Sequence, residues 1–319
     1  MELPPLLRQG VDAALAGTGL SALGRAAGTL SARYRAEVRD GRFHLSDDLA
    51  ARAYLATRLP ATYAAVRAAM AAVAEVRPDF APENLLDLGS GPGTAFWAAM
   101  DCWPGLGRAL LVEGSPPIRA WGERLAREAP VPSEWRSGNV AKPLADLPPH
   151  DLVTLAYVLD ELAEGERGPL VDRLWGLTRD TLLVVEPGTP AGWERILAAR
   201  DRLIAAGAFL LAPCPHAAAC PLVRPDWCHF SRRVARSRLH RQAKGGEVPW
   251  EDEKFIYLAA SRRLGARPSA RVIAPPRAGS GQVRLKLCRD DGRAEERLFT
   301  KREGDVFRQA RRAGWGDAL

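Results

Sequence analysis

Apolar residues recur at three- and four-residue spacing through residues 48–76, DLAARAYLATRLPATYAAVRAAMAAVAEV, where alanine dominates. That period is the mark of an amphipathic helix, and alanine is the best helix former. Residues 1–80 are therefore predicted to be a helical region. Pro60 interrupts the run. It has no amide hydrogen to give and crowds the preceding turn, so a break is expected near residues 58–60. Pro78 and Pro82 then mark a boundary.

From residue 84 the pattern changes. NLLDLGS, RALLVEGS, DLVTLAYVLDEL and DTLLVVEPGTP are short apolar runs that alternate with amphipathic stretches such as IRAWGERLAREA and GPLVDRLWGLT. Continuous apolar strands alternating with helices imply a parallel sheet covered on both faces, an α/β fold. After about residue 207 the rhythm stops. The segment PWEDEKFIYLAASRR is predicted helical, residues 266–282 read as a Pro/Gly/Arg linker, and VRLKLCRDDGRAEERLFTKR reads as two strands around an Asp-Gly turn. The chain thus divides into a helical region at 1–80, a Rossmann-like domain at 81–207 and a third module at 208–319.

Composition adds an asymmetry. Residues 1–199 hold 20 Lys/Arg against 25 Asp/Glu, whereas residues 200–319 hold 25 against 13. A basic module joined to a mildly acidic one points to a polyanionic partner for the second part. Of the 45 basic residues only 5 are lysine, so part of the arginine content reflects a compositional bias, which does not account for the asymmetry. No apolar run reaches the ~18 residues of a membrane helix. The start, MELPPLLRQG, has no basic segment followed by an apolar one, and a cytoplasmic monomer is expected.

The segment DLGSGPGT, residues 87–94, follows the first apolar strand. Glycine is needed where backbone approaches a ligand closely or takes positive φ, and the next helix aims its first amides at that ligand. Asp87, Gly89, Ser90, Gly91, Gly93 and Thr94 are the candidate loop residues. Glu113 closes the next strand about twenty residues on, where a carboxylate takes ribose hydroxyls. D-L-G-S-G-P-G is more similar to the first motif of class I S-adenosylmethionine methyltransferases than to G-x-G-x-x-G. Asn139, before the fourth strand, is placed near the adenine, and Tyr157, at that strand's end, near the meeting point of cofactor and substrate. The Asn/Asp-Pro-Pro-aromatic motif of exocyclic-nitrogen methyltransferases is absent there. No catalytic base stands out, and Cys102 reads as a buried thiol.

Three of the five cysteines fall within PCPHAAACPLVRPDWCHF: Cys214, Cys220 and Cys228, with Cys288 60 positions on. An odd number of cysteines without a secretory segment argues against disulfides. Four thiolates can close a tetrahedral zinc site or hold an iron-sulfur cubane. The wide C-x5-C-x7-C spacing suits the larger cluster, with zinc as the alternative. His216 and His229 are rival ligands. Beside this block, residues 228–243 are predicted to form a helix with Phe230 and Val234 on its inner face. Arg232, Arg233, Arg236, Arg241 and Lys244 are then candidates for RNA phosphates.

These residues together resemble a known family, the mitochondrial small-subunit ribosome assembly factors of the methyltransferase-like class and their bacterial relatives. The resemblance rests on AYLATRLPATYAAV, DLGSGPGTAFWAA, VVEPGTPAGW, the PCPH…CPL…DWCHFSRR block, EDEKFIYLAASR and the closing WGD. It implies a class I methyltransferase fold, S-adenosylmethionine binding, a [4Fe-4S] cluster on Cys214, Cys220, Cys228 and Cys288, and small-subunit (16S-type) ribosomal RNA as partner. A bacterial member is expected. Two readings follow, a ribosomal RNA methyltransferase and a non-catalytic, cluster-bearing assembly factor. A small-molecule methyltransferase is the third alternative, disfavoured by the basic module.

Overall fold

The computed structural model describes all residues except 38, 39, 41, 42, 143–146 and 245–247, and of residue 244 only the backbone. Four helices open the chain: α1 (Pro5–Leu15), α2 (Leu20–Arg35), α3 (Asp48–Thr57) and α4 (Leu59–Val76). The break between α3 and α4 falls at Arg58, because Pro60 is tolerated only in a helix's first turn. Asp47 caps α3, its Oδ1 accepting from the Ala50 amide at 2.8 Å.

The alternating region follows as β1 (Asn84–Leu88), α5 (Thr94–Cys102), β2 (Arg108–Glu113), α6 (Pro116–Ala126), β3 (Ser133–Ser137), β4 (His150–Ala156), α7 (Glu164–Leu177), β5 (Thr178–Pro187) and α8 (Pro190–Ala205). Then come β6 (Phe209–Ala212), β7 (Phe230–Ala235), α9 (Arg238–Lys244) and β8 (Trp250–Ser261). Strands β1 to β5 pair in parallel, and β8 joins β5 antiparallel. The order is β3-β2-β1-β4-β5-β8-β6, with β7 also on β8. This is the Rossmann-like sheet of class I methyltransferases, with its reversed strand inserted beside β5. The sheet draws its last three strands from beyond residue 207.

Two sequence expectations are corrected here. Residues 250–261 form a strand, not a helix. A continuous apolar run is ambiguous between buried strand and buried helix. Pairing with β5 on one edge and with β6 and β7 on the other gives every residue from Phe255 to Ser261 a buried place in the sheet. Residues 230–235 are likewise a strand, and the helix begins only at Arg238. Phe230 and Val234 are both buried as expected. A spacing of four puts two residues on one face of a helix and equally on one face of a strand, so this pair could not separate the two.

The rest of the chain forms a small second sheet of β9 (Ala270–Val272), β10 (Arg277–Gly279), β11 (Gln282–Arg289) and β12 (Ala294–Thr300), with α10 (Asp305–Arg312) after it. The expected hairpin is β11–β12, and the stretch read as a linker holds β9 and β10. Val283, Leu285, Leu287 and Phe299 pack with Ala310 of α10 in a core separate from the main one. Among the described residues no helix is long and apolar enough to cross a membrane.

Candidate cofactor cleft and cysteine cavity

All five residues of β1 are buried, and the strand delivers the chain into three left-handed glycines, with φ of +65° at Gly89, +55° at Gly91 and +81° at Gly93. A Cβ on Gly89 would lie 2.5 Å from Val158 Cγ2, so close packing also demands glycine there. At Gly91 a Cβ would meet nothing within 4 Å, because this residue faces an open cleft. The cleft has a volume of about 1220 Å³ and is lined by Gly89, Gly91, Glu113, Asn139 and Tyr157 together. Five of the expected cofactor residues thus meet in one place. Asp87, Ser90 and Thr94 are buried behind its wall, and Gly93 caps the start of α5.

The wall and the layer behind it are acidic and incompletely paired. Asp87 Oδ1 accepts from Thr154 Oγ1 at 2.7 Å, while Asp87 Oδ2 and Ser90 Oγ are buried without a partner among the described residues. Burial pushes the Asp87 carboxyl up to about 7. Glu113 accepts from the Gly91 amide at 2.9 Å and from the Ser115 amide at 2.7 Å. Its pKa is raised by burial, an effect those amides oppose. Each carboxylate oxygen keeps a second lone pair, so Glu113 braces the loop and can still accept from a ligand. Asn139 closes a local turn, its Oδ1 accepting from the Ala141 amide at 2.9 Å.

Tyr157 follows β4 with a φ of +58°, uncommon for a bulky residue. Its hydroxyl donates to Glu253 Oε1 at 2.9 Å, and Arg58 reaches the same oxygen at 3.4 Å. Arg58 and Glu253 also line the cleft and were missed from sequence. Reading 250–261 as a helix hid Glu253, and Arg58 was seen only as part of a helix break.

Cys214, Cys220, Cys228 and Cys288 line a second, smaller cavity. The first three come from the loop between β6 and β7, and the fourth from β11. Burial pushes the Cys228 thiol well above its ordinary value, and its three neighbouring cysteines push it further. Cys288 is pushed up to about 12, again by burial first and then by Cys214 and Cys220. Cys288 Sγ lies 3.3 Å from His216 Nε2. His229 stands apart, stacked on Trp227. Among the described residues no three His, Cys, Asp or Glu side chains are arranged to hold a single metal ion.

The basic candidates divide. Arg233 pairs with Asp252 at 2.9 Å and Arg236 with Glu251 at 3.0 Å, both across the β7–β8 edge. The expected helix would have left these arginines spread over a free surface, whereas the strand sets Arg233 opposite Asp252, and Arg236, just past its end, reaches back to Glu251. Arg232 lies opposite Glu253 in the register. Arg241 and Lys244 are on α9, and the Lys244 side chain lies outside the described residues.

The profile of the family described as Mitochondrial small ribosomal subunit Rsm22 matches residues 48–319. The chain belongs to this family. It is 30% identical over 285 residues to the ribosome assembly protein METTL17, mitochondrial, of Homo sapiens, covering 83% of this chain and 61% of that one. It is 25% identical over 319 residues to the Rsm22-cox11 tandem protein 2, mitochondrial, of Schizosaccharomyces pombe, covering 83% and 42%. The chain therefore spans less than two thirds of either relative. Among solved structures it is similar to magnesium protoporphyrin IX methyltransferase from Synechocystis PCC 6803 with bound SAM, at 14% identity and a TM-score of 0.41, over 73% of this chain and 91% of that one. It is also similar to an O-methyltransferase family protein from Burkholderia thailandensis, at 14% identity and a TM-score of 0.45, over 74% and 69%.

Proposed function

We propose that this chain binds S-adenosylmethionine in the glycine-loop cleft, carries a [4Fe-4S] cluster on Cys214, Cys220, Cys228 and Cys288, and acts on small-subunit ribosomal RNA during ribosome assembly. The observation that carries the reading is membership of the Rsm22 family over a span that contains both the glycine loop and the four cysteines. Supporting the cofactor are the open face of Gly91 and the unpartnered oxygens of Asp87 and Ser90. S-adenosylmethionine supplies a sulfonium-bound methyl group when present. Asp87 and Ser90 would accept from its ammonium end, Glu113 from ribose hydroxyls, and Asn139 would meet the adenine.

The four cysteines fit a cluster in that they surround one cavity from two distant segments. The same four thiolates could instead close on a single zinc ion at about 2.3 Å, and metal analysis separates the two. Chain prepared without oxygen is expected to hold about four irons, and one zinc in their place would remove the cluster reading.

A non-catalytic assembly factor is the second reading. It is favoured by the end of β4, where Tyr157, Arg58 and Glu253 satisfy one another instead of presenting a base. Mapping modified nucleotides on 16S-type RNA from a deletion strain separates the two. One missing methyl group, restored by the unmutated gene, supports the transferase. An unchanged map with impaired subunit assembly supports the factor. Failure of the tagged chain to co-sediment with small subunits or their precursors removes both.

A further inference from the structure

Arg200 and Arg271 are each only 1% exposed, and both line the cysteine cavity. A guanidinium cannot shed its charge, so its burial demands an anion or a full set of acceptors. Neither has both. Arg200 donates to the carbonyls of His216 at 3.1 Å and Ala218 at 2.5 Å and pairs with Asp201, whose own side chain is 72% exposed. Arg271 donates to the carbonyls of Pro213 at 3.1 Å and Gly316 at 2.9 Å, and its carboxylate partner, Glu75, is exposed and 3.9 Å away. Arg200 Nε and one terminal nitrogen of Arg271, Nη2, remain buried without a hydrogen-bond partner.

The groups around the cavity able to supply a buried anion are the cysteines. As thiols they do not, since burial favours the neutral form. As ligands to a metal centre they do, because metal binding requires thiolates. Four thiolates around a doubly positive core leave a doubly negative ensemble, which two guanidiniums match. We infer that Arg200 and Arg271 are the built-in counter-charges of this cavity, their spare N–H groups directed to thiolate or sulfide of the centre bound there. This rests on the cluster reading above. The two arginines stabilise the more negative, reduced state most, so they raise the reduction potential, and they make part of the loaded protein's extra stability.

The test uses the full chain prepared without oxygen, as unmutated protein and as Arg271→Gln, Arg271→Lys and Arg200→Gln. Iron and acid-labile sulfide are counted first, because their absence from unmutated chain overturns the cluster reading and this inference with it. With iron present, midpoint potentials are read by EPR-monitored titration. Each glutamine variant should show at least a tenfold lower reduced-to-oxidised ratio at fixed potential, 59 mV for a one-electron couple. Arg271→Lys, which keeps the charge, should recover most of it. Because Arg271→Gln also gives up two carbonyl bonds, a second measurement compares thermal melting with and without the cluster. The rise in Tm on loading should shrink in the glutamine variants. Loaded variants with an unmutated potential and an unmutated rise in Tm would overturn the counter-charge role and leave the cluster standing.

Discussion

The two candidate sites of this chain leave opposite charges unsatisfied. Around the glycine loop the spare groups are oxygens, on Asp87 and Ser90, beside the buried carboxylate of Glu113. Around the cysteines the spare groups are nitrogens, the N–H donors of Arg200, Arg271 and Trp193 with His216 Nδ1 beside them. Buried polar groups are nearly always paired, so each set describes its missing partner. The cleft asks for a ligand rich in donors and positive charge, such as an ammonium, a sulfonium and ribose hydroxyls. The cavity asks for an anion. One fold keeps the two apart by building the first at the carboxyl ends of parallel strands and the second between the sheet's reversed edge and the C-terminal module.

The largest effect that would break this comparison comes from Gly91→Val. A left-handed φ of +55° and a β-branched side chain conflict at a backbone cost of about 1–3 kcal/mol. The new methyl groups would also stand in the cleft, which is empty at that point. S-adenosylmethionine binding by calorimetry should vanish while the iron content stays unchanged. Retained affinity would reduce the loop to an ordinary strand-to-helix turn. Glu113→Ala should be milder, weakening binding by about 1–3 kcal/mol through lost charge-assisted hydrogen bonds. It should also lower the melting temperature of the free protein, because the Gly91 and Ser115 amides lose their acceptor. Loss of stability with unchanged affinity would make Glu113 a brace only.

How far the sequence reached follows the same division. The glycine loop, Glu113 and the parallel strands were legible because each rests on a local rule: strand, tight turn, helix start. The four cysteines were legible as a set through their spacing. The partners that define both sites were not. Glu253 was hidden because Phe255–Ala260 is apolar at every position, and such a run carries no period. Arg271 looked like one more arginine in a Pro/Gly/Arg linker, and Arg200 carried no local signal at all. That each is buried depends on how the loop 213–229 folds over them, which no local pattern records. The β7 arginines were misread because a spacing of four serves helix and strand alike.

A pH experiment sharpens the acidic half. Asp87 titrates near 7 in the folded chain, against 3.8 for an unperturbed carboxyl. Between those values the native state holds a proton that the unfolded chain has released, so stability falls as pH rises from about 4 to 7. Asp87→Asn should flatten that part of the Tm profile. If the ionised form receives the ligand's ammonium, binding by the unmutated chain should strengthen as pH rises through 7, and binding by the variant should not. Parallel profiles for the two proteins would mean that Asp87 serves only to hold Thr154.

The smallest effects concern where the proposed RNA partner would meet the surface. Residues 262–319 hold 15 Lys/Arg against 7 Asp/Glu, so much of the positive charge lies in the C-terminal module, not on β7. Arg302 and Arg312 are exposed and make no ion pair among the described residues. Arg233 is already opposed by Asp252. A cation freed from a carboxylate before meeting phosphate gains less than one that meets it from water. Each phosphate contact releases condensed counterions and adds roughly 0.7 to the salt slope on single-stranded regions. Arg302→Glu with Arg312→Glu should therefore flatten the salt dependence of binding to small-subunit RNA more than Arg233→Glu does, with the iron content unchanged in both. Filter binding across a salt series reads the two slopes directly. Should Arg233→Glu flatten the slope as much or more, the β7 edge is the RNA surface, and its pairing with β8 opens when RNA arrives.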